Sequence, residues 1–171
     1  MKKKFWIKFG VMIGAIVALL ALDLVTKYVF DATLPYGETK TIIPYLFNFQ
    51  LSYNDGAAWG MMAGKQVFLI VLTFVFIAIF VWYYIKEKNK SWLFNFAFAF
   101  LMAGCVGNLY DRLVFGYVRD FIQFDFWQSF PIFNFADAIL CIGFVLFVIY
   151  FIVYFAKSSK NKQNKDSKYD K

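Results

Sequence analysis

The residues best suited to chemistry are concentrated at positions 104–137, between two strongly apolar segments. This stretch holds four aspartates, two arginines and two asparagines, in a chain that is only 17% charged. Ionisable groups beside membrane spans usually have a function. Asp120 lies in an extended-looking segment and Asp137 opens an apolar helix. Two neighbouring carboxylates cannot both ionise easily, so this pair is a candidate aspartyl dyad that activates water.

Each of these acids also has an ordinary structural explanation when it is considered alone. Asp137 could be a helix cap, and Asp120 could be a satisfied surface acid. Asp125 is expected to be only a solvated loop residue. As a hypothesis, Asp137 is the more easily ionised member of the pair, because the positive end of a helix dipole favours negative charge.

Further polar residues are spaced so that they could support such a site. Asp23 and Lys27 are four positions apart on one helical face, so they form either an ion pair or a substrate-positioning pair. Asn108, Asp111 and Arg112 share one face of another helix. There we expect a structural network more than direct catalysis, because Asp111 near a helix C-terminus needs a partner.

The composition excludes several other chemistries. Histidine is absent, which removes Ser-His-Asp and Cys-His catalysis and HExxH zinc sites. Cys105 and Cys141 lie in apolar stretches without CxxC spacing, so we interpret both as buried hydrophobic residues. A serine–lysine peptidase using Ser52 with Lys65 or Lys27 is disfavoured because spacing fixes no partner for the serine. We therefore expect neither a metal nor a cofactor.

The elements that must position these residues are membrane spans. The chain of 171 residues is 61% hydrophobic and 23% aromatic, which leaves too little polar surface for a soluble domain. The apolar segments predict an α-helical polytopic membrane protein with four transmembrane helices. The predicted spans cover about residues 5–22, 67–85, 92–106 and 138–155. A transporter or channel subunit is disfavoured because no predicted span carries a charge at its middle, and a scaffold with structural acids remains a third possibility.

The formal charge of +7 is explained by membrane orientation rather than by nucleic-acid binding, which we do not expect. Most lysines flank the apolar spans at the two chain ends and at positions 86–90. The positive-inside rule then places both termini in the cytoplasm and both longer connections outside. We expect residues 1–156 to form one membrane-embedded domain, and the lysine-rich residues 157–171 to be a disordered cytoplasmic tail touching anionic lipid.

The first outer connection predicts a small extracytoplasmic β element over about residues 38–64. Apolar and polar residues alternate over positions 47–54, which indicates a half-buried strand with an aromatic and an amide face. A turn is expected at Asp55-Gly56.

Four sequence blocks resemble the conserved motifs of bacterial lipoprotein signal peptidase (signal peptidase II), in order and in spacing. They are NDGAAWG at 54–60, GNLYDR at 107–112, VRDF at 118–121 and FNFAD at 133–137. The resemblance covers nearly the whole chain apart from the tail. Two departures concern substrate positioning: Leu24 stands where the family often has glutamine, and Arg119 where it is usually apolar.

The resemblance implies an aspartic endopeptidase of the bacterial cytoplasmic membrane, with its site at the extracytoplasmic interface. Such an enzyme removes the signal peptide of diacylglyceryl-modified prolipoproteins just before the lipidated cysteine, and binds globomycin-type inhibitors. Asp120 and Asp137 would be the catalytic dyad, and the β element would form a cradle for the substrate. The residues that would bind substrate or support the site are Asp23, Lys27, Asn54, Gly56, Asn108, Asp111, Arg112 and Asn134.

Overall fold

A computed structural model describes residues 2–88 and 90–169, with side chains for 3–88 and 90–159. In this part of the chain, four helices are long and apolar enough to cross a membrane, as predicted. A three-stranded antiparallel sheet accompanies them. The helices are α1 (Lys2–Thr33), α2 (Gln66–Lys86), α3 (Trp92–Val114) and α4 (Phe135–Tyr169), and the strands are β1 (Thr39–Ile43), β2 (Phe47–Asn54) and β3 (Val118–Phe124).

Two helices continue beyond the predicted spans because their polar residues face the protein. Helix α1 extends to Thr33 instead of ending near position 22, and its Asp23 and Lys27 are fully buried. Helix α3 extends to Val114 instead of position 106 and buries Asn108 and Asp111. Hydropathy ends a span at the first polar residues, whereas the helix itself continues while those residues have partners.

The C-terminal segment differs from the predicted disordered tail. Helix α4 continues to Tyr169, so residues 157–169 are helical, and positions 170–171 lie outside the described residues. Extending an existing helix adds one hydrogen bond for each residue fixed, and lysine and glutamine are good helix formers. A polar segment can therefore prolong the apolar helix that precedes it.

Helix α3 is the centre of the bundle. Of the most apolar 18 residues of α3, 67% are buried inside the protein, against 6% for the corresponding stretch of α2. Glycine allows this close packing: a Cβ on Gly104 would lie 2.6 Å from the Ala136 carbonyl oxygen, and one on Gly107 would collide with the Asp23 carboxylate. The polar end of α3 is thus brought against both α1 and α4.

The end of the bundle away from the sheet is closed by aromatic packing around Phe94, which is fully buried. Tyr84 stacks on the Phe94 ring, and its hydroxyl donates to Asn95 Oδ1 over 3.0 Å. Lys8 Nζ donates to the Lys90 carbonyl over 2.9 Å, which places the N-terminal part of α1 beside the α2–α3 turn. We call this the turn end, and the opposite end the sheet end.

The sheet has the strand order β1-β2-β3, and it packs on the last turns of α1. The strand predicted from the alternating pattern is present as β2, but a bulge between Phe49 and Ser52 interrupts the alternation. Phe30 of α1 stacks on Phe121 of β3 with ring centroids 4.1 Å apart, and the centroid of the Phe49 ring lies 4.4 Å from that of Phe30. The aromatic face of the sheet therefore rests on a helix.

The expectation that Asp125 is only a solvated loop residue is wrong. Its carboxylate accepts the Tyr45 backbone N–H at 2.7 Å and the Asn48 side-chain amide at 3.0 Å. These bonds tie the loop after β3 to the β1–β2 connection, and this anchor was missed because the partners are about 80 residues apart in the chain.

Candidate active site

Asp120 projects from the middle of β3 at the sheet end, opposite Ser52 of β2. Its side chain is almost completely buried, with 2% of the residue exposed. Both carboxylate oxygens accept amide hydrogen bonds: Oδ2 from Asn54 Nδ2 at 2.9 Å and Oδ1 from Asn134 Nδ2 at 2.7 Å. The carboxylate is thus held from the neighbouring strand and from the start of α4.

Asp137 lies in the first turn of α4, as expected, but the capping residue is Asn134. Asn134 Oδ1 accepts the Asp137 backbone N–H at 3.0 Å, and Asp137 Oδ2 accepts the Asn134 backbone N–H at 3.0 Å. This reciprocal arrangement is a capping box. Asp137 Oδ1 accepts Asn108 Nδ2 at 2.7 Å, so α3 fixes the other side of the carboxylate.

The side-chain amides of Asn134 and Asn108, which are bonded to each other, connect the two carboxylates. Asn134 is fully buried, and its Nδ2 donates to Asn108 Oδ1 at 3.0 Å as well as to Asp120. A single amide group therefore connects β3 with α3 and α4. Asp120 and Asp137, which the sequence singled out as a pair, are brought into one network.

The Asp23–Lys27 pair lies directly behind this network. Lys27 Nζ donates to Asp23 Oδ2 and to Asn108 Oδ1, both at 2.9 Å, and lies 3.8 Å from Asp111 Oδ2. Asp23 Oδ1 accepts the Ala136 backbone N–H at 2.9 Å, which satisfies a free donor at the start of α4. The pair is thus buried inside the bundle instead of lying at the outer end of a helix.

The motif at positions 54–60 folds into a tight turn beside the site. Asn54 Oδ1 accepts the Gly56 backbone N–H at 2.9 Å, which fixes the amide so that its nitrogen points at Asp120. Arg112 Nη2 donates to the Gly56 carbonyl at 3.1 Å. A Cβ at Gly56 would lie 2.6 Å from the Met61 carbonyl oxygen, so a larger residue does not fit this turn.

Arg119 is 4% exposed, and the sequence alone indicates no contact for it. Its Nη2 donates to Asp111 Oδ1 at 2.8 Å, and its Nε and backbone N–H donate to Asp111 Oδ2 at 3.1 and 3.0 Å. The two residues are eight positions apart, which matches no helical or strand spacing, so only the path of the chain between α3 and β3 reveals the pair. Arg119 is the partner that Asp111 needs.

The surroundings of Asp120 favour its protonated form. Burial, and secondly the charge of Asp137, raise the pKa of Asp120 from 3.8 to about 7, against the opposing effects of its amide donors and Lys27. A carboxyl with such a pKa is partly protonated near neutral pH. It can therefore act as a proton donor beside an ionised partner.

A cleft of about 460 Å³ opens beside Asp120 at the sheet end. It is bordered by the turn after β2 and by the loop between β3 and α4, with Trp59 and Phe130 among its lining residues. Trp59 Nε1 donates to the Ser129 carbonyl at 3.2 Å, so the turn and the loop touch. Among the described residues, no three His, Cys, Asp or Glu side chains are grouped so as to hold a metal ion.

Comparisons with known proteins agree on one family. Residues 15–153 match the family described as signal peptidase (SPase) II. A lipoprotein signal peptidase of Staphylococcus haemolyticus is 40% identical over 148 residues, which are 86% of this chain and 92% of that protein. A lipoprotein signal peptidase of Staphylococcus aureus is 37% identical over 147 residues, which are 85% of this chain and 89% of that protein.

Two solved structures, each described as a bacterial membrane enzyme, have the same fold. One is 34% identical with a TM-score of 0.81, covering 86% of this chain and 91% of that chain. The other is 36% identical with a TM-score of 0.76, covering 83% and 92%. Four apolar helices, a buried aspartate beside a cleft and these similarities define the class, a membrane aspartic peptidase. The chain belongs to the signal peptidase II family.

Proposed function

We propose that this protein removes the signal peptide from diacylglyceryl-modified prolipoproteins by cutting the peptide bond just before the lipidated cysteine. The observation that carries the proposal is the pair of aspartates, Asp120 and Asp137, which Asn134 and Asn108 join, with the buried Asp120 beside an open cleft. The name of the relatives, lipoprotein signal peptidase, supports the class of substrate. Four apolar helices around the site support delivery of a lipid-anchored substrate from within the membrane.

In this mechanism the two aspartates share one proton and need no metal. The ionised carboxylate takes a proton from water, and the water oxygen attacks the carbonyl carbon of the residue before the cysteine. The protonated carboxyl donates a hydrogen bond to the developing oxyanion. The C–N bond then breaks, and the cysteine amine leaves with a proton from the dyad.

We assign the resting proton to Asp120 and the resting charge to Asp137. Asp137 accepts a backbone N–H at the start of α4, where the helix dipole favours an anion. The two groups titrate as a pair, so a site-resolved titration of each carboxyl is the measurement that would refute this assignment.

Binding of the substrate backbone is assigned to Asn54, which lines the cleft, and to Arg112 beside the same turn. The Gly56 backbone fixes both, since its N–H donates to Asn54 and its carbonyl accepts from Arg112. Globomycin-type peptides would occupy the same cleft as inhibitors. We place this end of the bundle outside the cytoplasmic membrane, because most lysines lie at the two chain ends and at the α2–α3 turn.

The direct test is cleavage of a purified prolipoprotein with and without the diacylglyceryl group. We expect a gel shift only with the modified precursor, and product masses that place the cut before the cysteine. A product cut elsewhere, or equal cleavage of the unmodified precursor, would overturn the proposal.

A serine mechanism is tested in the same assay. Ser52→Ala should cut at the rate of the unchanged protein, since Lys27 is fully buried and already bound to Asp23 and Asn108. Loss of cleavage in this variant would favour the serine–lysine alternative.

A further inference from the structure

Arg119 completes a charge arrangement behind the two candidate catalytic aspartates. Its guanidinium covers both oxygens of Asp111, which is fully buried, by bonds of 2.8 and 3.1 Å. The other terminal nitrogen, Nη1, lies 3.7 Å from Asp31 Oδ2, and the guanidinium carbon lies 4.5 Å from the centre of the Phe115 ring. The side chain is thus held by α1, α3 and the α3–β3 connection together.

The same arrangement determines where Lys27 is placed. Asp23 and Asp111 are two buried carboxylates, and Lys27 and Arg119 are the cations that contact them. Because Arg119 covers Asp111, the Lys27 ammonium remains 3.8 Å from it and donates to Asp23 and Asn108. Without the guanidinium, Asp111 Oδ1 would lose the donor at 2.8 Å, and a buried carboxylate attracts any cation within reach.

Asn108 transmits this arrangement to the dyad. Its Oδ1 accepts from Lys27, and its Nδ2 donates to Asp137 at 2.7 Å. The same Oδ1 accepts from Asn134, whose Nδ2 also donates to Asp120. A shift of Lys27 towards Asp111 would therefore loosen the Asn108 amide, which holds Asp137 directly and Asp120 through Asn134.

We propose that Arg119 is a positioning residue of the peptidase site. By binding Asp111, Arg119 keeps Lys27 bonded to Asn108 and thereby holds the two aspartates of the dyad in position. It acts through these groups and touches no substrate. This inference rests on the proposed function, since it names a residue that positions the same dyad. It also gives a physical role to a cation that immediately precedes Asp120 in β3.

The pH dependence of the dyad reports on this arrangement. The charged groups that act on Asp120 are Asp137 from α4, Lys27 from α1 and Arg112 from α3, and Asp55 lines the same cleft. Removing the Lys27 charge from the neighbourhood of the dyad makes ionisation harder, so the acid limb of the activity profile moves to higher pH.

The titratable groups that face Arg119 are Asp31, Tyr53, Tyr110 and Asp111. Tyr53 donates to Asp31 at 2.8 Å, and this hydrogen bond raises the pKa of Tyr53 to about 12. Tyr53 therefore stays neutral over the acid limb of the activity profile and does not contribute to a shift of that limb.

The test compares Arg119→Met, Arg119→Gln and Arg119→Lys with the unchanged protein on the modified precursor. We expect Arg119→Met to lower kcat by about 10- to 100-fold with little change in KM, because misplaced catalytic groups affect the chemical step. Its acid limb should move up by about half a pH unit as Lys27 is drawn away. Arg119→Lys should return the acid limb to the pH seen in the unchanged protein and restore part of kcat. The lysine ammonium keeps the positive charge but can bond only one Asp111 oxygen.

Lys65→Met is the matched control, because it removes an exposed cation at the start of α2 that lies outside this network. It should leave kcat and the pH profile unchanged. An Arg119→Met or Arg119→Gln enzyme with unchanged kcat and acid limb would overturn the proposal. Loss of the fold in both variants, seen as loss of a cooperative thermal transition, would also overturn it, because Arg119 would then be only structural.

Asp120→Asn in the same assay separates this inference from the proposed function. If the unchanged protein does not cut the precursor, or Asp120→Asn cuts it normally, the proposed function is wrong. If both behave as expected and only the Arg119 variants are normal, the positioning role alone is wrong.

Discussion

At the scale of single residues, Asn134 is the group on which both carboxylates depend. It caps α4 through Oδ1, donates its backbone N–H to Asp137, and donates Nδ2 to Asp120. Its amide has no rotational freedom, because a flip would place an oxygen against the Asp120 carboxylate. Helix capping and dyad geometry are thus combined in one side chain.

Asn134→Ala should reduce both stability and turnover. Loss of the cap costs about 0.5–2 kcal/mol, and loss of the bond to Asp120 should lower kcat at least tenfold. Thermal unfolding in detergent and cleavage rates measure the two effects. Ser91→Ala is the control, since Ser91 caps α3 at the turn end by accepting the Phe94 N–H, and it should lose stability without losing kcat. Equal kcat values in both variants would contradict the role of Asn134.

The raised pKa of Asp120 predicts a pH-dependent effect on stability. A carboxyl with a pKa of 3.8 in the unfolded chain and about 7 in the folded protein binds its proton more tightly when folded. Its contribution to stability is fully present below the unfolded pKa, and it is lost as the pH rises through the folded value. The melting temperature of Asp120→Asn, relative to the unchanged protein, should therefore increase from pH 5 to pH 8. A difference that is constant with pH would show that the pKa of Asp120 is not raised.

Residue types and spacing singled out the two acids, the Asp23–Lys27 pair and the polar face of α3, and the family resemblance added Asn54, Gly56 and Asn134. Neither showed how these groups are connected. The absence of histidine and the position of two aspartates beside apolar spans were sufficient to propose a carboxylate site. The Arg119–Asp111 pair and the contacts of Asp125 depend on the path of the chain, which local periodicity does not describe.

At the scale of elements, the close contact of α3 with its neighbours brings the polar groups together. Gly107 stands where any side chain would collide with Asp23, which in turn accepts the N–H of Ala136. The sequence has small residues at this point of α3, which allow a neighbouring helix to approach closely. It did not reveal that the space left by the glycine is filled by a buried carboxylate.

Gly107→Ala should therefore weaken the fold and the site together. A methyl group at this position forces Asp23 or a helix to move, which costs about 1–3 kcal/mol. Gly14→Ala in α1 is the matched control, because its Cβ would meet nothing within 4 Å. Thermal unfolding in detergent should show a lower transition temperature for Gly107→Ala and an unchanged one for Gly14→Ala. Equal transition temperatures in the two variants would contradict close packing at Gly107.

The extent of each element was less predictable than its type. Four helices and the strand β2 follow from apolar length and alternation. The ends of α1 and α3 do not, because buried partners for polar residues exist only in the assembled bundle. The bulge in β2 has the same origin, since it depends on how β2 pairs with β3.

At the scale of the whole molecule, the two ends of the bundle have different chemistry. The turn end is aromatic and closed, with Lys90 Nζ 4.9 Å from the centre of the Tyr84 ring. The sheet end contains the buried carboxylates and the cleft. Lipid-anchored substrates would reach the cleft from the membrane, so the side of the membrane on which it opens determines what can be cut.

Cysteine labelling in intact cells tests the proposed orientation. In a chain with Cys105 and Cys141 replaced by alanine, Lys40→Cys should react with a membrane-impermeant maleimide, because β1 is exposed at the sheet end. Lys88→Cys, in the α2–α3 turn, should react only after the cells are opened. The reverse pattern would place the cleft on the cytoplasmic side.

We propose above all that the two aspartates act as one catalytic unit. The most direct measurement is the single-turnover rate of Asp120→Asn and Asp137→Asn on the diacylglyceryl-modified precursor, with folding confirmed by thermal unfolding. Each variant should remain folded and lose at least about 10³-fold in rate, because either substitution removes a carboxyl that the proton transfers require. A folded variant of either kind that cuts within tenfold of the unchanged rate would contradict the dyad.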